Sequence, residues 1–299
     1  MTRHPPALPV TPGREKAARP PALPPGLAAR LDGVRWRRNL VGEAGAAVYR
    51  LQRPGEPDLY LKQGRAQTAQ ALADEMARLR WLAGRMPAAP LVHFECTGHQ
   101  AWLLTQAVPG LTAHEWLQRR PDRAPQIVAE LARGLARLHA LPALHCPFQS
   151  PLEQRLALAR QRLDAGLIDA DDFDDARQGW TPDAVWRSLQ SLLPLAIDPV
   201  VTHGDYSLDN ILLDEDFRIT GLIDLGRLGV ADRYQDLAIL WNCLAEFGRD
   251  VQAQLWPACG IDTPDARKLD FFLCLDECFF ISPGRRGRSH LVDHHLPEP

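Results

Sequence analysis

The chain has 299 residues, a formal net charge of −3 and 26 prolines. That length suits two lobes with a sizeable core, and without a basic stripe over the folded region the charge argues against nucleic acid as a direct partner. No run reaches the roughly eighteen apolar residues of a membrane span, no internal repeat is visible, and a monomer is compatible with everything in the sequence.

Residues 1–30 are proline-rich, carry Arg14, Lys16 and Arg19, and lack the apolar segment of a secretory signal. They are expected to form a flexible extension. Val41 to Leu51 is a small-residue turn running into a strand, where backbone N–H groups could approach a phosphate. Asp58-Leu59-Tyr60-Leu61-Lys62 alternates as a half-buried strand. Lys62 is one of only three lysines (with Lys16 and Lys268) among 34 basic residues. In a chain that so prefers arginine, a lysine on a strand suggests a compact point charge is needed there. From Ala69 to Leu82 the apolar residues Leu72, Met76, Leu79 and Leu82 recur at helical spacing. Glu75 on that helix is placed to pair with Lys62. Trp102 to Thr105 reads as a buried strand, leaving through Gln106-Ala107-Val108-Pro109-Gly110 as a hinge to the second half.

Beyond the hinge the chain should be mainly helical. Pro125 to Leu141 sets Ile127, Leu131, Leu135 and Leu138 on one face, with His139 in its last turn as a structural residue. Asp169 to Asp175 holds five aspartates in seven positions around Phe173. Six cysteines (Cys96, Cys146, Cys243, Cys259, Cys274, Cys278) show no paired metal spacing. Cys274 and Cys278 read as core thiols on an apolar helix, and free thiols fit a reducing cytoplasm.

The most informative run is His203-Gly204-Asp205-Tyr206-Ser207-Leu208-Asp209-Asn210, followed by Ile223-Asp224-Leu225-Gly226. Pro199 to Thr202, Ile211 to Leu213 and Ile219 to Ile223 read as short strands, so the acids would sit in loops at strand ends. This is the order and spacing of a kinase phosphoryl-transfer site. Asp205 would receive or orient the proton of an attacking hydroxyl. Asn210 and Asp224 would offer a neutral and an anionic oxygen to Mg²⁺, which takes few carboxylates and keeps waters and phosphates. His203 is read as organising the loop, and Asp236 as anchoring it from below. Gly204 before Asp205, and the lack of an Ala-Pro-Glu run after Asp224, favour a constitutively active small-molecule kinase over a protein kinase.

On these residues, and on Ile223 to Asp236 as a continuous run, the chain resembles the aminoglycoside phosphotransferases, and within them the 3′-phosphotransferases, over about residues 31–280. Cys146-Pro147-Phe148 and Leu275-Asp276-Glu277-Cys278-Phe279 look like further landmarks. The resemblance implies an α+β, two-lobed protein-kinase-like fold: a small β-rich nucleotide lobe over residues 31–105, a larger helical lobe over 106–281, and a flexible tail over 282–299. It implies ATP and Mg²⁺, with Tyr60 stacking on adenine, Lys62 on phosphate with Glu75 as its partner, and Gln106 and Val108 contacting the base through their backbone. Asp205 would be catalytic, with Asn210 and Asp224 the metal ligands. Asp172, Asp174, Asp175, Arg227, Glu246, Asp276 and Glu277 would line an antibiotic pocket. Relatives tend to end where Phe279 stands, with a terminal carboxylate that helps hold the drug. Here twenty more residues follow, including Gly284-Arg285-Arg286-Gly287-Arg288. Cys243 stands where some relatives carry an acid.

The expected reaction is ATP-dependent phosphorylation of the 3′-hydroxyl of an aminoglycoside. An acid-lined cleft concentrates such a polycation, several acids being needed because each exposed pair is worth only about 0–1 kcal/mol. The alternatives are a kinase of the same fold acting on another aminoglycoside hydroxyl, a macrolide or an amino alcohol, or a nucleotide-binding protein without catalysis.

Overall fold

The structure, a computed structural model, describes residues 15–40, 45–174 and 176–279. Asp175, most of the turn before Val48, and the tail from residue 280 lie outside the described residues.

The first lobe runs β1 (Glu15–Ala17), α1 (Pro25–Arg30), β2 (Arg35–Asn39), β3 (Ala47–Gln52), β4 (Leu59–Arg65), α2 (Gln67–Leu82), β5 (Leu91–Thr97) and β6 (Gln100–Gln106). Its strands form one antiparallel sheet in the order β1-β2-β3-β4-β6-β5. Both faces of this sheet are covered. Trp36, Tyr49, Leu51, Leu61, Trp102 and Leu104 meet Leu27 and Leu31 on one face, while Ala101 and Leu103 meet Ala69, Leu72 and Leu79 of α2 on the other. Buried from both sides, β6 reads as an apolar run and not as an alternation. On β4 the period of two sends Leu61 to the first face, and Tyr60 and Lys62 to the face that α2 covers.

Residues 15–30 are not a flexible extension. Lys16 pairs with Arg38 in the sheet, and Leu27 is fully buried. Proline-rich composition hides this, because α1 begins on a proline whose missing N–H costs a first turn nothing, and two leucines suffice to seat it.

The second lobe runs β7 (Leu111–Thr112), α3 (Ala113–Arg119), α4 (Ala124–His139), α5 (Leu152–Asp164), α6 (Pro182–Ser191), β8 (Pro199–Thr202), β9 (Ile211–Leu213), β10 (Ile219–Leu222), β11 (Gly229–Asp232), α7 (Tyr234–Ala245), α8 (Arg249–Ala253), α9 (Leu255–Ala258) and α10 (Ala266–Glu277). Helix α4 buries Ile127, Val128, Leu131, Leu135 and Leu138 in the main core. Short ladders β10-β9-β7 and β11-β8 lie above it. The lobes are stitched beside the site: Ala89 N–H donates to Leu222 O and Leu222 N–H to Pro87 O, both at 3.1 Å. From α2, Arg78 Nε donates to Leu228 O at 2.7 Å.

Candidate active site

The loop from His203 to Asn210 connects β8 to β9, and its backbone is held from beneath. Asp236, fully buried in the first turn of α7, accepts from the N–H groups of His203 and Gly204 at 2.8 Å each. His139 Nε2 lies 3.2 Å from the same carboxylate, so the last-turn histidine of α4 serves the loop without reaching the chemistry. His203 Nε2 donates to Ile223 O at 3.1 Å, and its Nδ1 accepts from Asp205 N–H at 3.3 Å. A carbonyl can only accept, which assigns the Nε2–H tautomer. Gly204 has φ +83°, and a Cβ there would run into the Arg227 carbonyl, so no other residue fits. Tyr206, wholly buried, donates to Leu131 O of α4 at 3.0 Å. Tyr206 is an anchor the sequence reading missed; an aromatic inside an otherwise polar loop is the signal that could have found it. Asp205 is left half-buried, its carbonyl accepting Asn210 Nδ2 at 3.0 Å. That bond uses the nitrogen of the Asn210 amide and leaves its oxygen for a cation.

Lys62 stands where the lobes meet. Its Nζ donates to both oxygens of Glu75, at 2.8 and 2.9 Å, and to Asp224 Oδ1 at 3.1 Å. Glu75 is buried, and Asp224 has 56% of its side chain exposed. Burial alone would lower the Lys62 ammonium, but Asp224 and Glu75 outweigh it and raise it. Lys62 in turn holds the Asp224 carboxyl below its usual range, while burial pushes Glu75 up against the pull of Lys62. Asp224 adopts a left-handed backbone, φ 60°, a conformation aspartate tolerates better than most. Lys62, held by Glu75, and Arg78, one turn after Glu75 on α2, thus reach the second lobe on either side of the Leu225-Gly226-Arg227 turn.

Tyr60 lies half-buried on β4, on the Lys62 face. At the hinge, Gln106 N–H donates to Pro90 O and Ala107 N–H to Asp58 O. Of these backbone donors, only Val108 N–H has no partner among the described residues.

Among the described residues, the acids expected to face a polycation differ in their partners. Arg177, almost fully buried, pairs with Asp174 at 2.9 Å and Asp270 at 2.7 Å, and lies 3.9 Å from Glu277. Asp174 N–H donates to Glu277 Oε1 at 3.1 Å. Burial and the neighbouring Asp174 push Glu277 up to about 8. Asp276 is raised to about 6, by burial and by Asp205, with Arg227 and Arg155 opposing. Arg227 lies 5.9 Å from the Phe279 ring. Glu246, 65% exposed, has His114 Nε2 at 3.3 Å. Asp172 is half-buried in the 170–172 turn. Arg177 and His114 were missed because nothing local marks them: each meets its acid only through tertiary packing.

A lysine fastened to a helix glutamate, facing an Asp-x-x-x-x-Asn loop and a second aspartate across two lobes, defines a phosphotransferase of the protein-kinase-like class. The comparisons agree, and the chain belongs to the phosphotransferase enzyme family, whose model matches residues 36–271. An aminoglycoside 3′-phosphotransferase of Escherichia coli is 50% identical over 267 residues, covering 89% of this chain and 98% of that protein. A solved aminoglycoside 3′-phosphotransferase of type VIII superimposes with a TM-score of 0.76 at 35% identity, over 85% of this chain and 97% of that one. An aminoglycoside phosphotransferase from Streptomyces rimosus ATCC10970, in complex with ADP and streptomycin, matches with a TM-score of 0.69 at 28% identity, over 85% and 97%. Among the described residues no helix is long and apolar enough to cross a membrane.

Proposed function

We propose that this protein transfers the γ-phosphoryl group of ATP to the 3′-hydroxyl of aminoglycosides such as kanamycin, and thereby confers resistance to them. The observation that carries this reading is Lys62 bridging Glu75 and Asp224 beside the braced Asp205 loop, in a chain half-identical to an aminoglycoside 3′-phosphotransferase. Lys62 offsets charge on the α/β-phosphates, with Glu75 fixing its direction. Tyr60 stacks on adenine and Val108 N–H donates to its edge. Asp205 takes the hydrogen bond of the acceptor hydroxyl and aligns it for in-line attack.

Asn210 and Asp224 fit Mg²⁺, which would supply charge neutralisation on the phosphates. One neutral and one anionic oxygen, both at a solvent-facing edge, are the sparse protein donor set that ion takes. Asp172, Asp174, Glu246 and Asp276 draw in the polycation, Glu277 joins them as it ionises towards about 8, and Arg227 offsets Asp276 and Asp224. Asp175, outside the described residues, belongs to the same reading. An ATP-dependent reaction and six free cysteines suit a cytoplasmic location.

The test is ATP turnover with kanamycin A and with tobramycin, which lacks the 3′-hydroxyl, in wild type and Asp205→Ala. Turnover on kanamycin alone, reduced about 10²–10⁴-fold in the variant, is the expected result. Equal turnover on both drugs would move the reaction to another hydroxyl.

A further inference from the structure

Behind the acidic wall, a cavity of about 170 Å³ opens between the start of α5, strands β8 and β11, the first turn of α7 and α10; Arg155 is shared between the two, since it also offsets Asp276. None of the nucleotide or substrate residues named above lines it. Two side chains at its wall are anomalous. Gln235 is 3% exposed, and neither its Nε2 nor its Oε1 has a hydrogen-bond partner. Arg155 is 8% exposed, its Nε is unpartnered, and its guanidinium forms no ion pair among the described residues, resting 4.8 Å over the Phe279 ring. Burial, with Arg227 nearby, pulls Arg155 down to about 10, which leaves it a cation at neutral pH. Buried polar groups are almost always paired, and a buried charge without a partner is costlier still.

The lining charges point to the sign of what is missing. Asp232 faces the cavity, but its carboxylate is met by Lys268 Nζ at 2.6 Å and by the N–H groups of Asp198 and Tyr234. Glu153, exposed at the rim, is the one carboxylate on the wall that nothing offsets. Against it stand the Arg155 guanidinium, the Gln235 amide N–H and the first turn of α5, a helix of 13 residues whose N-terminal end favours negative charge. Asp205, Asp236 and Asp276 act on Arg155 from farther off and Arg227 acts against it.

We propose that this cavity binds a small oxyanion, a phosphate or a carboxylate, held by Arg155 and Gln235 at the N-terminal turn of α5. A guanidinium fork matches two oxygens of such an anion, and the amide supplies a third donor. Occupancy would brace the catalytic machinery from behind, since Gln235 immediately precedes Asp236, and Arg155 supports the ring that follows the Asp276-Glu277 end of α10.

The full chain is titrated with inorganic phosphate or with acetate, at ionic strength held constant with chloride, and its Tm is followed. A saturable rise of about 3–5 °C at about 100-fold over Kd is expected with at least one of the two, and the effective arm names the class of anion. The rise is lost in Gln235→Leu, which keeps the volume and removes an unpartnered amide, and in Arg155→Met; it persists in Lys62→Ala. No saturable rise with either anion means a cavity that holds water only and overturns the proposal. A rise retained in both cavity variants, or abolished in Lys62→Ala, places the anion in the nucleotide cleft and overturns it equally.

Discussion

The catalytic loop and the acidic wall are built on opposite principles. In the loop from His203 to Asn210 the charged and polar groups are committed inward: Asp236 takes two backbone donors, His203 uses both ring nitrogens, and Asn210 spends its amide nitrogen on Asp205. The wall is less settled. Asp174 and Glu277 share Arg177 with Asp270, Asp276 is offset by Arg227 and Arg155, and Glu246 faces solvent beside His114. A site that positions one proton requires rigidity, because misplacement by about 1 Å costs rate heavily. On the reading proposed above, a wall that gathers several ammonium groups needs only net negative potential, and the arginines among its acids offset their mutual repulsion. The loop should therefore break sharply on substitution and the wall should yield by degrees.

Asp236→Ala tests the sharp side with the largest expected effect. It leaves two buried N–H groups without an acceptor and His139 without its carboxylate, which should cost roughly 2–5 kcal/mol of stability and most of the activity together. Thermal unfolding and kcat on one preparation check it; a stable variant with normal kcat would mean the loop holds its shape without this anchor. Glu75→Gln comes next. Lys62 would keep Asp224 but lose its buried anionic partner, and the expected result is about a tenfold fall in kcat/KM for ATP, or about 1.4 kcal/mol, with little change in KM for the drug. An equal fall for both substrates would place Glu75 in the fold and not in nucleotide positioning.

Why the loop was legible in sequence and the wall was not follows from the same contrast. Asp205, Asn210 and Asp224 act through local spacing on strand-linked loops, and Lys62 and Glu75 through alternation on β4 and helical spacing on α2, so linear pattern carries them. Their anchors divide: Asp236 and His203 lie inside the motif run, while Tyr206 acts on α4, seventy-five positions away. Of the wall, Asp172, Asp174 and Asp175 stand in a run of aspartates and Glu246, Asp276, Glu277 and Arg227 come from the resemblance, yet the partners Arg177, Arg155 and His114 reach these acids only through folding. Leu27 and Leu31 were missed for a related reason, since two apolar residues in a proline-rich stretch carry no periodicity.

The wall's stored repulsion should appear in the pH dependence of stability. Glu277 holds its proton up to about 8, above an unfolded carboxyl. Its favourable contribution is therefore complete below the ordinary carboxylate range, and is lost as pH rises through that range towards 8. Between pH of about 5 and 8 the wild-type Tm should fall with a slope that Glu277→Gln reduces, the variant gaining on wild type by a few degrees at the alkaline end. Superimposable profiles would show that Arg177 and the Asp174 backbone N–H keep the carboxylate ionised throughout.

Glu246→Gln probes the mildest part of the wall. An acid with 65% of its side chain in water, 3.3 Å from a histidine nitrogen, meets a cation in high dielectric, where a pair is worth about 0–1 kcal/mol. The KM for kanamycin should rise about two- to fivefold while kcat stays put, because Glu246 touches neither Asp205 nor Lys62. Screening adds the discriminating measurement. Raising salt from about 0.05 to 0.5 M shortens the Debye length several-fold, so the wild-type KM should climb towards that of the variant and the gap should close. A gap that persists at high salt would mean Glu246 makes a desolvated, geometrically fixed contact with the drug, and the wall would then resemble the catalytic loop at that point.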